Sequence, residues 1–134
     1  MQPLVCPDSA RQKEDGKIRM CVDYRKLNAV TKRDQFQLPT ISNLIDLIGA
    51  NQPTWFTTLD LASGYHQVRI SPDSQEKTAF STFCGQYAYK MMPFGLTNAP
   101  PIFQRVMQDV LRETSNEVHR YLDDVIIATA SFDR

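Results

Sequence analysis

Apolar positions along this chain fall into two periods. In LPTISNLIDLIGAN (38–51), Ile41, Leu44, Ile45 and Ile48 recur at helical spacing. Thr40 or Ser42 can cap the start of that helix, and Gly49 suits its end. The strongest helical pattern is NAPPIFQRVMQDVLRE (98–113), where Ile102, Phe103, Val106, Met107, Val110 and Leu111 form one apolar stripe. Asn98 is its candidate N-cap, and Pro100 and Pro101 fall in the first turn, where no amide hydrogen is needed. The stripe predicts a core-facing helix.

Elsewhere the alternation is shorter and strand-like. IRMCVDY (18–24) reads as a strand, and TWFTTLDLA (54–62) reads as a second, ending near Asp60, with Trp55 expected in the core. SPDSQEKTAF (71–80) predicts a capped helical turn. AFSTFCGQYAYKMMPF (79–94) predicts a hairpin turning at Cys84, Gly85 and Gln86. EVHRYLDDVIIATA (117–130) predicts strand, tight turn and strand, with Asp123 and Asp124 both in the turn. The order of elements specifies an α+β domain with one mostly antiparallel sheet and packed helices.

Composition changes this picture little. The 134 residues fit one small domain, and 42% hydrophobic content suffices for a core. No apolar run reaches the length of a membrane span and no signal-peptide pattern is present, so the expectation is an intracellular, cytoplasmic protein that is not secreted. The three cysteines, Cys6, Cys21 and Cys84, match neither a disulfide framework nor a zinc pattern and read as reduced, mostly buried thiols. The formal net charge of zero conceals an asymmetry. Residues 1–33 carry a net charge of +4 and the remainder −4. A basic arm and an acidic remainder suit a phosphate-bearing ligand and a metal, although plain surface charge gives the same count.

The charges beside the buried-looking VIIA run need a reason. Adjacent strand residues point to opposite faces, but two aspartates in a tight turn can both project from the hairpin tip. Asp60 ends the other Thr-rich strand. Clustered carboxylates repel one another unless they are protonated or share a cation. Hard divalent ions take oxygen ligands, and a pair of them about 3.5–4 Å apart can clamp the attacking and leaving oxygens of a phosphoryl transfer. Asp60, Asp123 and Asp124 are therefore a candidate two-metal site, against the alternative of an ordinary surface turn.

Six further blocks occur in one order: RMCVDYRKLN, LP, FTTLDLASGYHQV, KTAFST, MPFGLTNAP and FQRVM. With YLDD, they resemble the reverse transcriptase region of gypsy-type long-terminal-repeat retrotransposon pol polyproteins, over nearly the whole chain from about residue 16. The resemblance implies a right-hand polymerase with palm and partial fingers. Residues 1–53 and 76–95 would be fingers-like, and 54–75 and 96–134 palm-like. It implies RNA-directed DNA polymerase activity, with dNTPs added to a primer 3′-hydroxyl on an RNA or DNA template. Two Mg2+ ions, or Mn2+ in their place, would be held by Asp60, Asp123, Asp124 and the Leu61 carbonyl.

For the nucleotide, the resemblance implies Arg19 over the triphosphate and either Lys13 or Lys17 on its terminal phosphate. It also implies the amides of Ala62, Ser63 and Gly64 as a phosphate cradle, Tyr65 as the gate against a 2′-hydroxyl, and Phe94 and Gly95 as pocket lining. Arg25, Gln104, Tyr121 and Leu122 would approach template and primer. His66, His119 and Asp23 read as structural, Asp23 holding the fingers together by hydrogen bonds. The thumb, connection and ribonuclease H portions of such a polyprotein are not in these 134 residues, and the chain by itself is expected to extend primers weakly or not at all. The alternative is an inactive retroelement remnant that keeps at most nucleic-acid binding.

Overall fold

The computed structural model describes residues 10–12, 18–114 and 116–132, with side chains from residue 21 onward. Secondary structure is mixed α and β. Among the described residues every strand pairing is antiparallel, and the strands form three small sheets where the sequence had suggested one. Among the described residues, no helix is long and apolar enough to cross a membrane.

The chain divides into two compact units, residues 1–33 with 65–99 and residues 34–64 with 100–134. Residues 34–53 cluster with 54–64 and 100–134, and residues 65–75 cluster with 1–33 and 76–99.

In the first unit, β1 (Ala10–Gln12) pairs with β2 (Ile18–Met20) in register Arg11 opposite Arg19. The expected strand 18–24 is shorter because Asp23 redirects the chain. Its carboxylate accepts Arg25 N–H at 3.0 Å and starts α1 (Arg25–Val30), a helix the sequence pattern did not reveal. Then come a 3₁₀ turn (Gly64–Gln67), α3 (Pro72–Gln75) and a second 3₁₀ turn (Glu76–Thr78), the last two bearing out the helical turn expected there. The hairpin β4 (Phe80–Thr82) and β5 (Gly85–Tyr87) turns at Phe83 and Cys84, earlier than expected, because Gly85 at φ 136° already pairs with Thr82. The core is Val22, Tyr24 and Phe80 with Leu27, Tyr89 and Leu96 packed against it. Tyr24 donates its hydroxyl to the Thr78 carbonyl at 3.1 Å, which satisfies the polar end of a nearly fully buried ring.

In the second unit, α2 (Ile41–Ala50) is capped by Thr40, whose hydroxyl accepts Asn43 N–H at 3.2 Å. Its apolar stripe is only partly used: Leu44 is buried, while Ile41 and Ile45 are exposed. Strands β3 (Trp55–Asp60), β6 (Val118–Tyr121) and β7 (Asp124–Thr129) form a sheet in the order β3-β7-β6. Central β7 buries Val125 and Ala128. Edge strand β3 is exposed throughout, so Trp55 is not a core residue; its ring meets that of Phe132 at a tilt of 57°, centroids 5.3 Å apart. Helix α4 (Ala99–Val110) runs from the first unit into the second. Its buried face differs from the apolar stripe. Phe103 and Met107 are buried as expected, but Val106 and Val110 are exposed and Gln104 is buried in their place.

Candidate active site

The sheet of the second unit fixes the carboxylates. β3 and β7 pair antiparallel with Asp60 opposite Asp124, and Leu61 N–H donates to the Asp123 carbonyl at 3.2 Å, carrying the ladder one step past the strand ends. A bond at that step makes Asp60 and Asp124 a non-hydrogen-bonded pair, in which side chains share a face and Cβ atoms approach to about 4.5 Å. The 63 positions that separate Asp60 from Asp123 in the chain are thus closed by ordinary strand pairing.

The turn is tighter than the sequence suggested. Tyr121 already pairs with Asp124, so only Leu122 and Asp123 form the loop, and Asp124 is the first residue of β7. Leu122 sits at φ 56°, a left-handed conformation that branched apolar residues avoid. Its N–H donates to Gln104 Oε1 at 2.9 Å. On the other strand, Gly64 N–H bonds the Leu61 carbonyl at 3.2 Å and Ser63 takes φ 53°, so the chain bends sharply straight after Asp60. A Cβ on Gly64 would stand 2.8 Å from Phe103 Cζ, so this glycine is what lets the Phe103 ring close on the bend.

The donor set suits a hard cation. Asp60 and Asp124 are exposed, and the ion pairs recorded among the described residues lie elsewhere, at Asp23–Arg25 and Asp34–Arg105. Among the described residues no three His, Cys, Asp or Glu side chains form a ready-made cage. Magnesium does not need one: it binds through one or two carboxylates and completes its octahedron with water and phosphate oxygens. Two facing carboxylates at an open sheet end fit that habit.

Other expected residues fall in the first unit. Tyr65 packs on Phe94 with ring centroids 5.2 Å apart. His66 meets the Phe94 edge at 5.2 Å and stacks on Tyr89, a packed aromatic as the sequence suggested. Gly95 lies at φ 91°, and its carbonyl accepts Asn28 Nδ2 at 2.8 Å, while Asn28 Oδ1 accepts Thr97 N–H. Asn28 therefore clamps the 95–97 loop from α1, a role the sequence pattern did not show. Arg25 is exposed and forks onto Asp23 at 2.6 Å, which holds the Asp23 carboxyl down at about 2. Asp23 thus braces its own helix start, its hydrogen bonds among the described residues going to Arg25. Lys13 and Lys17 lie outside the described residues, and Arg19 is described only as a backbone position in β2. Cys84 is exposed, contrary to the expectation of mostly buried thiols; Cys21 is half-buried, and Cys6 lies outside the described residues. Gln104 is 4% exposed, and its Oε1 accepts the Leu122 N–H of the turn.

Residues 11–134 match the family model described as reverse transcriptase (RNA-dependent DNA polymerase). The chain belongs to the reverse transcriptase family. It is 46% identical over 117 residues to the retrovirus-related Pol polyprotein from transposon 297 of Drosophila melanogaster, covering 87% of this chain and 11% of that polyprotein. Its structure is similar to the prototype foamy virus protease–reverse transcriptase, with TM-score 0.79 and 32% identity, over 91% of this chain and 16% of that one. The foamy viral protease–reverse transcriptase in complex with an RNA/DNA hybrid matches at TM-score 0.74 and 29% identity, over 90% of this reverse transcriptase chain and 16% of the viral one. The chain thus spans a small part of each of these three proteins, and the resemblance read from the seven sequence blocks is borne out at the level of a retroelement Pol reverse transcriptase.

Proposed function

We propose that this chain carries the catalytic carboxylates of an RNA-directed DNA polymerase of the retrotransposon type. The observation that carries the reading is the register of β3 and β7, which sets Asp60 opposite Asp124 and ties Leu61 to Asp123. On this reading residues 54–75 and 96–134 are palm-like, and residues 1–53 and 76–95 are fingers-like. Asp60, Asp123, Asp124 and the Leu61 carbonyl would hold two Mg2+ ions, or Mn2+. Such ions supply Lewis acidity to a primer hydroxyl and to the phosphates of a dNTP. The chain's own part is electrostatic and positional, as phosphoryl transfer generally requires.

The amides of Ala62, Ser63 and Gly64 would cradle phosphate oxygens at the bend after Asp60, where Ser63 is left-handed and Gly64 N–H also donates to the Leu61 carbonyl. Tyr65, backed by Phe94, supplies a braced aromatic face for the sugar and would exclude a 2′-hydroxyl by contact. Arg19 with Lys13 or Lys17 would neutralise the triphosphate. Gly95 would line the nucleotide pocket, and Arg25, Tyr121 and Leu122 would approach template and primer. The RNA/DNA hybrid held by the foamy viral relative supports a template–primer duplex as the partner.

The test is nucleotide incorporation on an RNA template with a DNA primer, measured with this chain in its full-length polypeptide. Asp60→Asn and Asp123→Asn are each expected to abolish incorporation while thermal unfolding stays cooperative. Incorporation that survives Asp60→Asn would reject the two-metal assignment.

A further inference from the structure

The most unusual buried group in the second unit is Gln104. It sits on α4 at a position that is buried where the apolar stripe is not, and only 4% of it is exposed. A buried amide persists where its polar atoms are engaged. Here Oε1 accepts Leu122 N–H at 2.9 Å. Leu122 is the first residue of a two-residue hairpin loop closed by Tyr121 and Asp124, so the strand ladder offers its N–H no partner. The same residue holds the left-handed φ of 56°. The turn therefore has two local liabilities, an unmatched donor and an unfavourable backbone, and Gln104 answers the first in the geometry that imposes the second.

The neighbouring residue completes the pattern. Phe103 lies against Gly64, four residues beyond Asp60. Consecutive residues of one helix thus hold both carboxylate-bearing segments, Phe103 the bend after Asp60 and Gln104 the turn before Asp124.

We propose that Gln104 is a positioning residue: its bond to Leu122 N–H locks the left-handed turn and thereby sets Asp123 and Asp124 against Asp60. The functional consequence rests on the metal reading given above; the positioning itself does not.

The experiment uses the 134-residue chain with Gln104→Met, which keeps the length and loses the acceptor, Leu122→Gly, which adopts the left-handed region freely, and the two combined. Backbone amide shifts and hydrogen exchange are read by NMR, and Mn2+ affinity by titration of the free ion's paramagnetic signal. In Gln104→Met, the Leu122 amide is expected to exchange at least ~10-fold faster, with shifts displaced at Asp123, Asp124 and Leu61. Mn2+ binding should weaken by about 10-fold, the size of loss typical when a group supporting a metal ligand is removed. Adding Leu122→Gly should return the shifts and most of the Mn2+ affinity.

A Gln104→Met protein that loses stability but keeps both the shifts and the Mn2+ affinity would overturn the proposal, because a purely structural glutamine behaves that way. If Gln104→Met does not fold alone, the combined variant decides: native shifts at Asp123 and Asp124 support the proposal, while displaced shifts or failure to fold refute it. Unchanged Mn2+ binding in Asp60→Asn would reject the metal reading alone, and the shifts would still judge the positioning.

Discussion

Gly64→Ala tests whether the bend after Asp60 is held by close packing. Gly64 is buried in a 3₁₀ turn and is not among the positive-φ residues, so alanine is permitted by the backbone. By propensity alone the change should stabilise by about 0.5–1 kcal/mol, since glycine loses more freedom on folding. Packing acts the other way. The new Cβ would stand 2.8 Å from Phe103 Cζ and 3.4 Å from both Cε atoms. Phe103 is itself buried, so its ring can retreat only by displacing its neighbours. Overpacking of this kind costs about 1–3 kcal/mol, so the sum runs from about 0 to about 2.5 kcal/mol, and a 2.8 Å approach to a buried ring places it in the upper part, at about 1–2 kcal/mol of net destabilisation. An unfolding entropy of about 2.1 cal/mol/K per residue converts that to a fall in Tm of roughly 4–7 °C for a chain of this length. Circular dichroism melts and urea titrations measure it directly. Combining Gly64→Ala with Phe103→Leu should cost less than the two changes added, with a coupling of at least ~0.5 kcal/mol. A Gly64→Ala protein as stable as the parent, or more so, would show that the helix does not press on the bend, and the account of how Asp60 is held would fail.

Three further outcomes follow from other parts of the structure. Asp60→Asn should raise the Tm of the metal-free chain by about 1–3 °C, because like charges directly opposed across strands destabilise by about 0.2–1 kcal/mol, and should at the same time weaken Mn2+ binding at least ~10-fold; a lower Tm in calorimetry contradicts the facing-carboxylate geometry. The hydrogen bonds from Arg25 hold the Asp23 carboxyl at about 2 against an ordinary 3.8, so its contribution is present above pH ~4 and is lost as the pH falls through 2. An NMR titration should find that midpoint, and Arg25→Leu should return it toward the ordinary value. Burial pushes the His119 imidazole below its usual 6.5, and its buried Nε2 has no hydrogen-bond partner among the described residues, so the unfolded chain takes up the proton first and stability falls as the pH drops through 6.5; His119→Gln should flatten that slope in melts between pH 7.5 and 5.5.

Much of the local structure and the family were legible in the sequence, because their signals are local or carried by ordered blocks. Thr40 capping α2, the helical turn after Ser71, the two prolines opening α4 and the strand pair around YLDD all follow from residues within a few positions of one another. The blocks from RMCVDY to FQRVM were enough to indicate a reverse transcriptase, which the family match over residues 11–134 bears out. What the sequence pattern misjudged is where apolar surface goes. Trp55 and Ile45 look like core residues, yet both are exposed, one on an edge strand and one on an uncovered face of α2. Periodicity reports that an element has an apolar face; it does not report whether another element covers it.

The sequence by itself determined which residues could serve the chemistry: three aspartates, the aromatic after the bend and the basic arm. Tertiary structure alone decided their arrangement. Strand register made Asp124, not the turn residue Asp123, the direct neighbour of Asp60, since pairing is fixed by the whole β3–β7 ladder and not by the dipeptide. Helix α4 turned Gln104 inward to a loop N–H that the strand ladder does not satisfy, and put Phe103 where only a glycine leaves room. These contacts join segments 18 and 39 residues apart, Gln104 with Leu122 and Gly64 with Phe103, and no local pattern encodes them. They exist because a buried polar atom must find a partner and a buried ring must find space.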